Sequence, residues 1–323
     1  MRYILLLCIV GFAALVQTAN AQAPKNKNNP QEEKEKKAGK GSKMYEVVRL
    51  PMHLFRLATS HVKTSTVDKV SYGHDKRQHF LVCESENVPA YQKEVIFFIH
   101  GGGWHIGKPK QHLLLAEMLA NAGYLVILPG YRLTPDVTGE EMQNDIHLAL
   151  KSSMDWITAE KGWTDYKIVV GGASAGGNLG AVLVFDDEAL AKYDISPNIF
   201  AGFFSLAGAL DISMMPQSKI LQKYAGAREG QNFCDANPLY HLDGHILVPV
   251  LCIHGDKDGL VKYKTAQAFA ERLCQMQCDL LEFHTVSGGT HLATASQWYY
   301  KKKKDEGQGA VLLRWLHRLH KEM

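Results

Sequence analysis

The pentapeptide Gly172-Ala173-Ser174-Ala175-Gly176 constrains this chain more than any other feature. It follows the β-branched run of residues 167–170 and precedes an apolar stretch over 179–185 that reads as a helix. A chain that turns from strand to helix this sharply leaves no room for side chains two before and two after the serine. The serine itself is then forced into a strained, exposed position at the head of the helix. Taken alone, G-x-S-x-G also arises as an ordinary glycine-rich strand–helix turn, so the rest of the chain has to decide.

The surrounding pattern is an alternation. Short apolar runs bounded by Gly or Pro recur at residues 95–99, 124–128, 167–170, 199–206 and 250–253, and each reads as a strand buried on both faces. Between them lie helical periods: Ile146, Ala149, Leu150 and Ile157 share one face, Ala266, Phe269, Ala270 and Leu273 another, and Leu312, Trp315, Leu316 and Leu319 a third. Residues 67–72 and 78–83 read as an antiparallel pair ahead of this alternation. Repeated strand–helix units predict an α/β architecture, a mostly parallel sheet with helices on both faces. In such sheets the chemistry sits at the carboxyl ends of the strands.

Three further strand ends carry unusual residues. His100-Gly101-Gly102-Gly103-Trp104 follows the run at 95–99. Consecutive glycines let the backbone approach a ligand and turn N–H groups inward, where they can meet an oxygen that becomes negative during acyl transfer. A phosphate-binding loop is excluded by the lack of G-x-x-x-x-G-K-[ST], and no G-x-G-x-x-G follows a strand. Past the run at 250–253 come two carboxylates, Asp256 and Asp258; past residues 280–286 the segment Ser287-Gly288-Gly289-Thr290-His291 places an imidazole in a glycine-rich loop. A serine hydroxyl is a weak nucleophile that needs a base, and the base needs an orienting acid. Both are supplied downstream.

From about residue 93 to the C-terminus the chain resembles the α/β-hydrolase superfamily, in particular the hormone-sensitive-lipase-like and bacterial carboxylesterases. The residues that carry the likeness are the HGGGW loop, Tyr131-Arg132-Leu133-Thr134-Pro135-Asp136, the GGASAGG elbow and His254-Gly255-Asp256-Lys257-Asp258-Gly259-Leu260-Val261. The resemblance implies an eight-stranded α/β-hydrolase sheet with a small lid region. It also implies that Ser174 is the nucleophile, His291 the base, Asp258 rather than Asp256 the acid, and the amides of Gly102, Gly103 and Ala175 the oxyanion hole. It makes Arg132 and Asp145 a structural ion pair, and it asks for no cofactor and no metal.

The N-terminus bears on the compartment. Arg2, the apolar run at 3–16 and the small residues Ala19-Asn20-Ala21 have the pattern of a secretory signal peptide, so residues 1–21 are expected to be removed on export to a periplasmic or secreted location. Residues 22–43 are lysine-rich and nearly free of large apolar side chains, the composition of a flexible linker. Residues 44–323 then form one hydrolase domain, with residues 44–60 as a lid helix or an edge-packed segment and the stretch from 206 to 248 shaping specificity. Five cysteines remain after residue 21, and zero or one disulfide is expected, Cys274 and Cys278 being badly spaced for one if both stay helical. A net charge of +3 from 36 basic and 33 acidic residues gives no footprint for nucleic acid, and no membrane span is expected after signal cleavage.

The expected function is an exported serine carboxylesterase acting on small to medium acyl esters, carbohydrate acetyl or feruloyl esters among them. Two alternatives stay open: an arylformamidase or peptidase-like amidase, and a non-catalytic binding module on a hydrolase fold. The expected partner is a small-molecule or carbohydrate ester; the oligomeric state is not legible.

Overall fold

The computed structural model describes residues 41–322 apart from 64, 91–93, 244 and 301–306. The expected signal peptide at 1–21, nearly all of the expected linker at 22–43 and the lysines at 301–304 lie outside the described residues. The strands are β1 (Ser65–Ser71), β2 (His79–Ser85), β3 (Glu94–Ile99), β4 (Leu125–Pro129), β5 (Lys167–Ala173), β6 (Phe200–Leu206), β7 (Val250–Gly255) and β8 (Leu281–Val286). The α-helices among the described residues are α1 (Lys43–Thr59), α2 (Leu113–Ala120), α3 (Gly139–Lys161), α4 (Ala175–Phe185) and α5 (Asp187–Lys192). They continue with α6 (Lys219–Ala225), α7 (Gln231–Asp235), α8 (Tyr263–Gln277), α9 (His291–Ala295) and α10 (Gln308–Glu322).

All eight strands form one sheet in the order β1-β2-β4-β3-β5-β6-β7-β8. β2 pairs antiparallel with both β1 and β4, and every pair from β4 to β8 is parallel. The apolar runs are continuous because both faces are covered. Along β3, Val95, Phe97 and Ile99 join a core with Ile146 and Leu150 of α3, Leu179 of α4 and Phe269 of α8. The alternate residues Ile96 and Phe98 point the other way, into a core with Leu115 and Leu119 of α2 and Leu316 of α10. The period of two in each strand thus feeds two separate helical layers.

Helix ends follow local chemistry. Thr138 and Glu141 make a reciprocal capping box at the start of α3, and Gly162 ends that helix in the left-handed region at φ 64°. Ser42 caps α1 through its hydroxyl, which accepts from the Tyr45 N–H at 3.2 Å. Cys274 and Cys278 are joined as a disulfide. The two do not share a continuous helix, since α8 ends at Gln277 and Cys278 opens a short 3-10 turn. Among the described residues no helix is long and apolar enough to cross a membrane.

Four strand ends converge. β3, β5, β7 and β8 all point the same way, so the loops at 100–107, 172–176, 255–261 and 287–291 gather along one rim of the sheet. β3 and β5 are direct neighbours, which brings the glycine-rich loop against the serine turn.

Candidate active site

The elbow around Ser174 closes tightly. A Cβ on Gly172 would stand 2.1 Å from the Gly176 carbonyl oxygen, and one on Gly176 would stand 2.1 Å from that of Ile99. Ser174 itself takes φ 55° and ψ −120°, a conformation that costs a non-glycine residue about 1–3 kcal/mol. The neighbouring strand holds it there, because the Ser174 N–H donates to the Leu206 carbonyl at 3.0 Å. Position and strain are those expected of an exposed nucleophile.

Three side chains distant in sequence meet on the rim. His291 Nε2 accepts from the Ser174 hydroxyl at 2.9 Å, and its Nδ1–H donates to Asp258 Oδ2 at 2.7 Å. Asp258 is buried and spends its other oxygen on the main-chain N–H groups of Leu260 and Val261, at 2.9 and 2.8 Å. His254 closes the set, with Nε2 3.3 Å from Asp258 Oδ2 and 3.0 Å from the Val261 carbonyl. Asp256 is exposed and takes no part.

The electrostatics suit a proton shuttle. Burial alone would raise the Asp258 carboxyl and lower the His291 ring. Burial is the largest single influence on each, but the charge and hydrogen bond between them, joined by His254 beside Asp258 and Glu46 beside His291, together outweigh it. Asp258 therefore lies well below the usual carboxylate range and the His291 imidazole above its ordinary 6.5. A base must be neutral to accept a proton, so kcat/KM is expected to fall with decreasing pH on a limb centred above 6.5. A rate profile on p-nitrophenyl acetate checks this; a midpoint well below that value would remove His291 from the role of base.

The glycine-rich loop lies directly beside the serine. A Cβ on Gly101 would be 3.1 Å from Ser174 Cβ. Gly102, Gly103 and Trp104 follow at φ 128°, 57° and 63°, and the loop is pinned where the amides of His105 and Ile106 donate to the Gly102 carbonyl. Among the described residues the amides of Gly102, Gly103 and Ala175 donate to no protein acceptor outside the regular elements. Ala175 opens α4, where the first N–H groups have no intrahelical acceptor. His100 shapes this loop from beneath. It is buried, stacks on Tyr131 with ring centroids 4.2 Å apart, and its carbonyl accepts from the Tyr131 hydroxyl.

Ser174 and His291 open into a cavity of about 250 Å³ with a largely apolar wall. Leu54 and Leu57 of α1 form one side, Trp104 and Ile106 a second, and Met215 and Leu221 a third. Residues 44–60 are thus a lid helix, and the stretch between β6 and β7 does line the cavity. Trp104 is both wall and packing residue, stacked on Tyr224 at 4.4 Å. His112 and His147 are both buried, His147 within α3; His112 reaches the cavity wall and sits 3.1 Å from the Tyr299 hydroxyl.

Arg132 and Asp145 form the structural pair that the sequence suggested. The guanidinium grips the fully buried carboxylate through Nε and Nη2, and Gln78 donates to the same group at 2.8 Å. Neither residue lines the cavity. Among the described residues, Asp187, Asp243 and His245 are the one set of groups close enough to share a cation; it lies on the surface, away from the cavity wall. No motif or spacing singles out Glu46, yet it is fully buried and accepts from the His291 N–H at 2.6 Å.

The BD-FAE family model matches residues 85–273, more than half of the chain. The chain belongs to the BD-FAE family. The match takes in the glycine-rich loop, the elbow and Asp258 of this BD-FAE member and stops short of His291. Esterase LipC of Mycobacterium tuberculosis (strain ATCC 25618 / H37Rv) is 24% identical over 241 residues, 69% of this chain and 59% of LipC. The chain thus spans less than two thirds of the curated relatives it matches. Among solved structures, esterase B from Lactobacillus rhamnosis with a tributyrin phosphonate inhibitor has a TM-score of 0.68 at 21% identity, covering 86% of this chain and 94% of that one. A truncated carbohydrate esterase from gut microbiota has a TM-score of 0.66 at 16% identity, covering 80% and 97%. These neighbours establish the α/β-hydrolase fold.

Proposed function

We propose that this chain is an exported serine carboxylesterase that hydrolyses small to medium acyl esters through an acyl-enzyme. The observation that carries this reading is the hydrogen-bonded line Ser174–His291–Asp258, with spacings of 2.9 and 2.7 Å. Ser174 Oγ attacks the ester carbonyl carbon while His291 Nε2 takes its proton, and the carbonyl oxygen becomes an oxyanion facing the amides of Gly102, Gly103 and Ala175. The carbon–oxygen bond to the alcohol then breaks, and His291 returns the proton to the departing alkoxide. A water attacks the acyl-serine with His291 again as base, which frees the acid and restores the serine. Each well-placed amide donor contributes about 3–4 kcal/mol to the oxyanion steps.

The esterase names among the relatives support ester over amide cleavage. The carbohydrate esterase among the fold neighbours, together with the apolar cavity, supports an acetyl or feruloyl group on a carbohydrate alcohol, with the acyl group inside and the sugar at the mouth. Arg2, the apolar run and Ala19-Asn20-Ala21 support export. One panel tests the substrate reading: p-nitrophenyl esters of increasing acyl length, acetylated xylan, a feruloyl ester and N-formylkynurenine. Esters of short and medium chains are expected to turn over fastest and the formamide least. A preference for N-formylkynurenine over every ester would replace the esterase reading with the amidase one, and no turnover together with no fluorophosphonate labelling would favour a binding module.

A further inference from the structure

We propose that Glu46 of α1 is a positioning residue for the His291 base: its buried carboxylate holds the opening main-chain N–H groups of α9 and so fixes the imidazole between Ser174 and Asp258. This rests on the reading of His291 as the base. Three observations carry it.

The first is geometry. Glu46 Oε1 accepts from the His291 N–H at 2.6 Å and Oε2 from the Leu292 N–H at 3.4 Å. Thr290, which precedes α9 and is the residue type expected to cap it, makes no side-chain cap. The duty passes to a side chain 245 residues away. A group that binds the backbone of the base itself controls where the ring stands, and misplacement of a reacting group by about 1 Å can cost about 10²-fold in rate.

The second is the choice of a charged residue. Glu46 is 0% exposed, and among the described residues no Lys or Arg forms an ion pair with it. Burying a carboxylate this way is costly unless it is well hydrogen-bonded. Glu46 lies on the inward stripe of α1 with Leu50, His53 and Leu57, where an apolar side chain would anchor the helix without that penalty.

The third is the setting of the ring. The groups facing it are Asp258 and His254 from the β7 end, and Glu46 and His53 from α1. Two of them, Asp258 and Glu46, add to its basicity. His53 adds no charge where esterases work, because burial, with His291 and Arg56 nearby, pushes it down to about 4; its Nε2 lies 2.6 Å from the Ser296 hydroxyl and ties α1 to the far end of α9. Glu46 is therefore one of the two carboxylates that face the base.

The test uses the full chain with Glu46→Gln and Glu46→Ala, measured for kcat, KM and pH profile on p-nitrophenyl acetate. Ser174→Ala is run alongside. Glu46→Gln keeps an acceptor for the amide but loses the charge; it is expected to lower kcat about tenfold, leave KM nearly unchanged and move the acid limb to lower pH. Glu46→Ala is expected to lose about 10²-fold in kcat, yet still be labelled to completion by a fluorophosphonate given time. If both variants keep the parent's kcat and limb while only Tm falls, Glu46 merely anchors α1 and the proposal is overturned. Should Glu46→Ala not fold, the isosteric Gln variant decides alone. Turnover by Ser174→Ala at the parent rate would instead remove the catalytic reading of the site, a failure separate from that of Glu46.

Discussion

Ser174→Ala is expected to lower kcat on p-nitrophenyl acetate by about 10⁵-fold or more and to abolish fluorophosphonate labelling. The loss is large because no other hydroxyl stands where Ser174 Oγ stands, 2.9 Å from His291 Nε2 and beside the unpaired amides of the glycine-rich loop. A residual rate above that of water is expected, since the amide donors and the cavity stay in place. The folded state should be no weaker than the parent's. The substitution keeps a Cβ and leaves the strained φ of 55°, and removes only a half-buried hydroxyl. Equal Tm with lost turnover is the signature; turnover at the parent rate would place the chemistry elsewhere.

Asp258→Asn is the second large effect, about 10⁴-fold in kcat, whereas Asp256→Asn is expected to leave turnover at the parent level. An Asn at 258 keeps its carbonyl oxygen for the N–H groups of Leu260 and Val261, so the amide NH₂ falls where Oδ2 now accepts from His291 Nδ1. That NH₂ donates, so the ring turns to the tautomer with its proton on Nε2. Nε2 can then no longer accept from Ser174. The same NH₂ faces His254 Nε2, which loses an acceptor as well. Kinetics of the two variants on one ester settle the matter, and a loss confined to Asp256→Asn would reverse the assignment of the acid.

Much of this site was legible because its residues are fixed by steric and chemical needs that leave traces in sequence. Gly172 and Gly176 have to be glycine where a Cβ would meet a carbonyl at 2.1 Å, and the strand runs are apolar throughout because helices cover both faces. Asp258 was separable from Asp256 only through family resemblance, as both follow the same strand; in space one is buried against His291 and the other is exposed. Glu46 was missed for a different reason. A glutamate in an amphipathic helix usually faces water, and its partner lies 245 residues on, beyond the reach of any local pattern. The trace that does exist is an acid on the inward stripe with Leu50 and Leu57, alongside the exposed apolar residues Val48 and Met52. The inward stripe of α1 thus departs from the usual apolar pattern at Glu46, and that departure marks a buried acceptor.

The lid helix also has a consequence for how the protein comes into being. Residues of α1 and α9 touch each other across 245 residues of sequence, so α1 leaves the ribosome well before α9. A chain made only as far as β8 can hold the elbow, the glycine-rich loop and most of the cavity wall, but it lacks the imidazole of His291. On the proposed mechanism, hydrolytic competence is thus withheld from any growing chain that ends before His291.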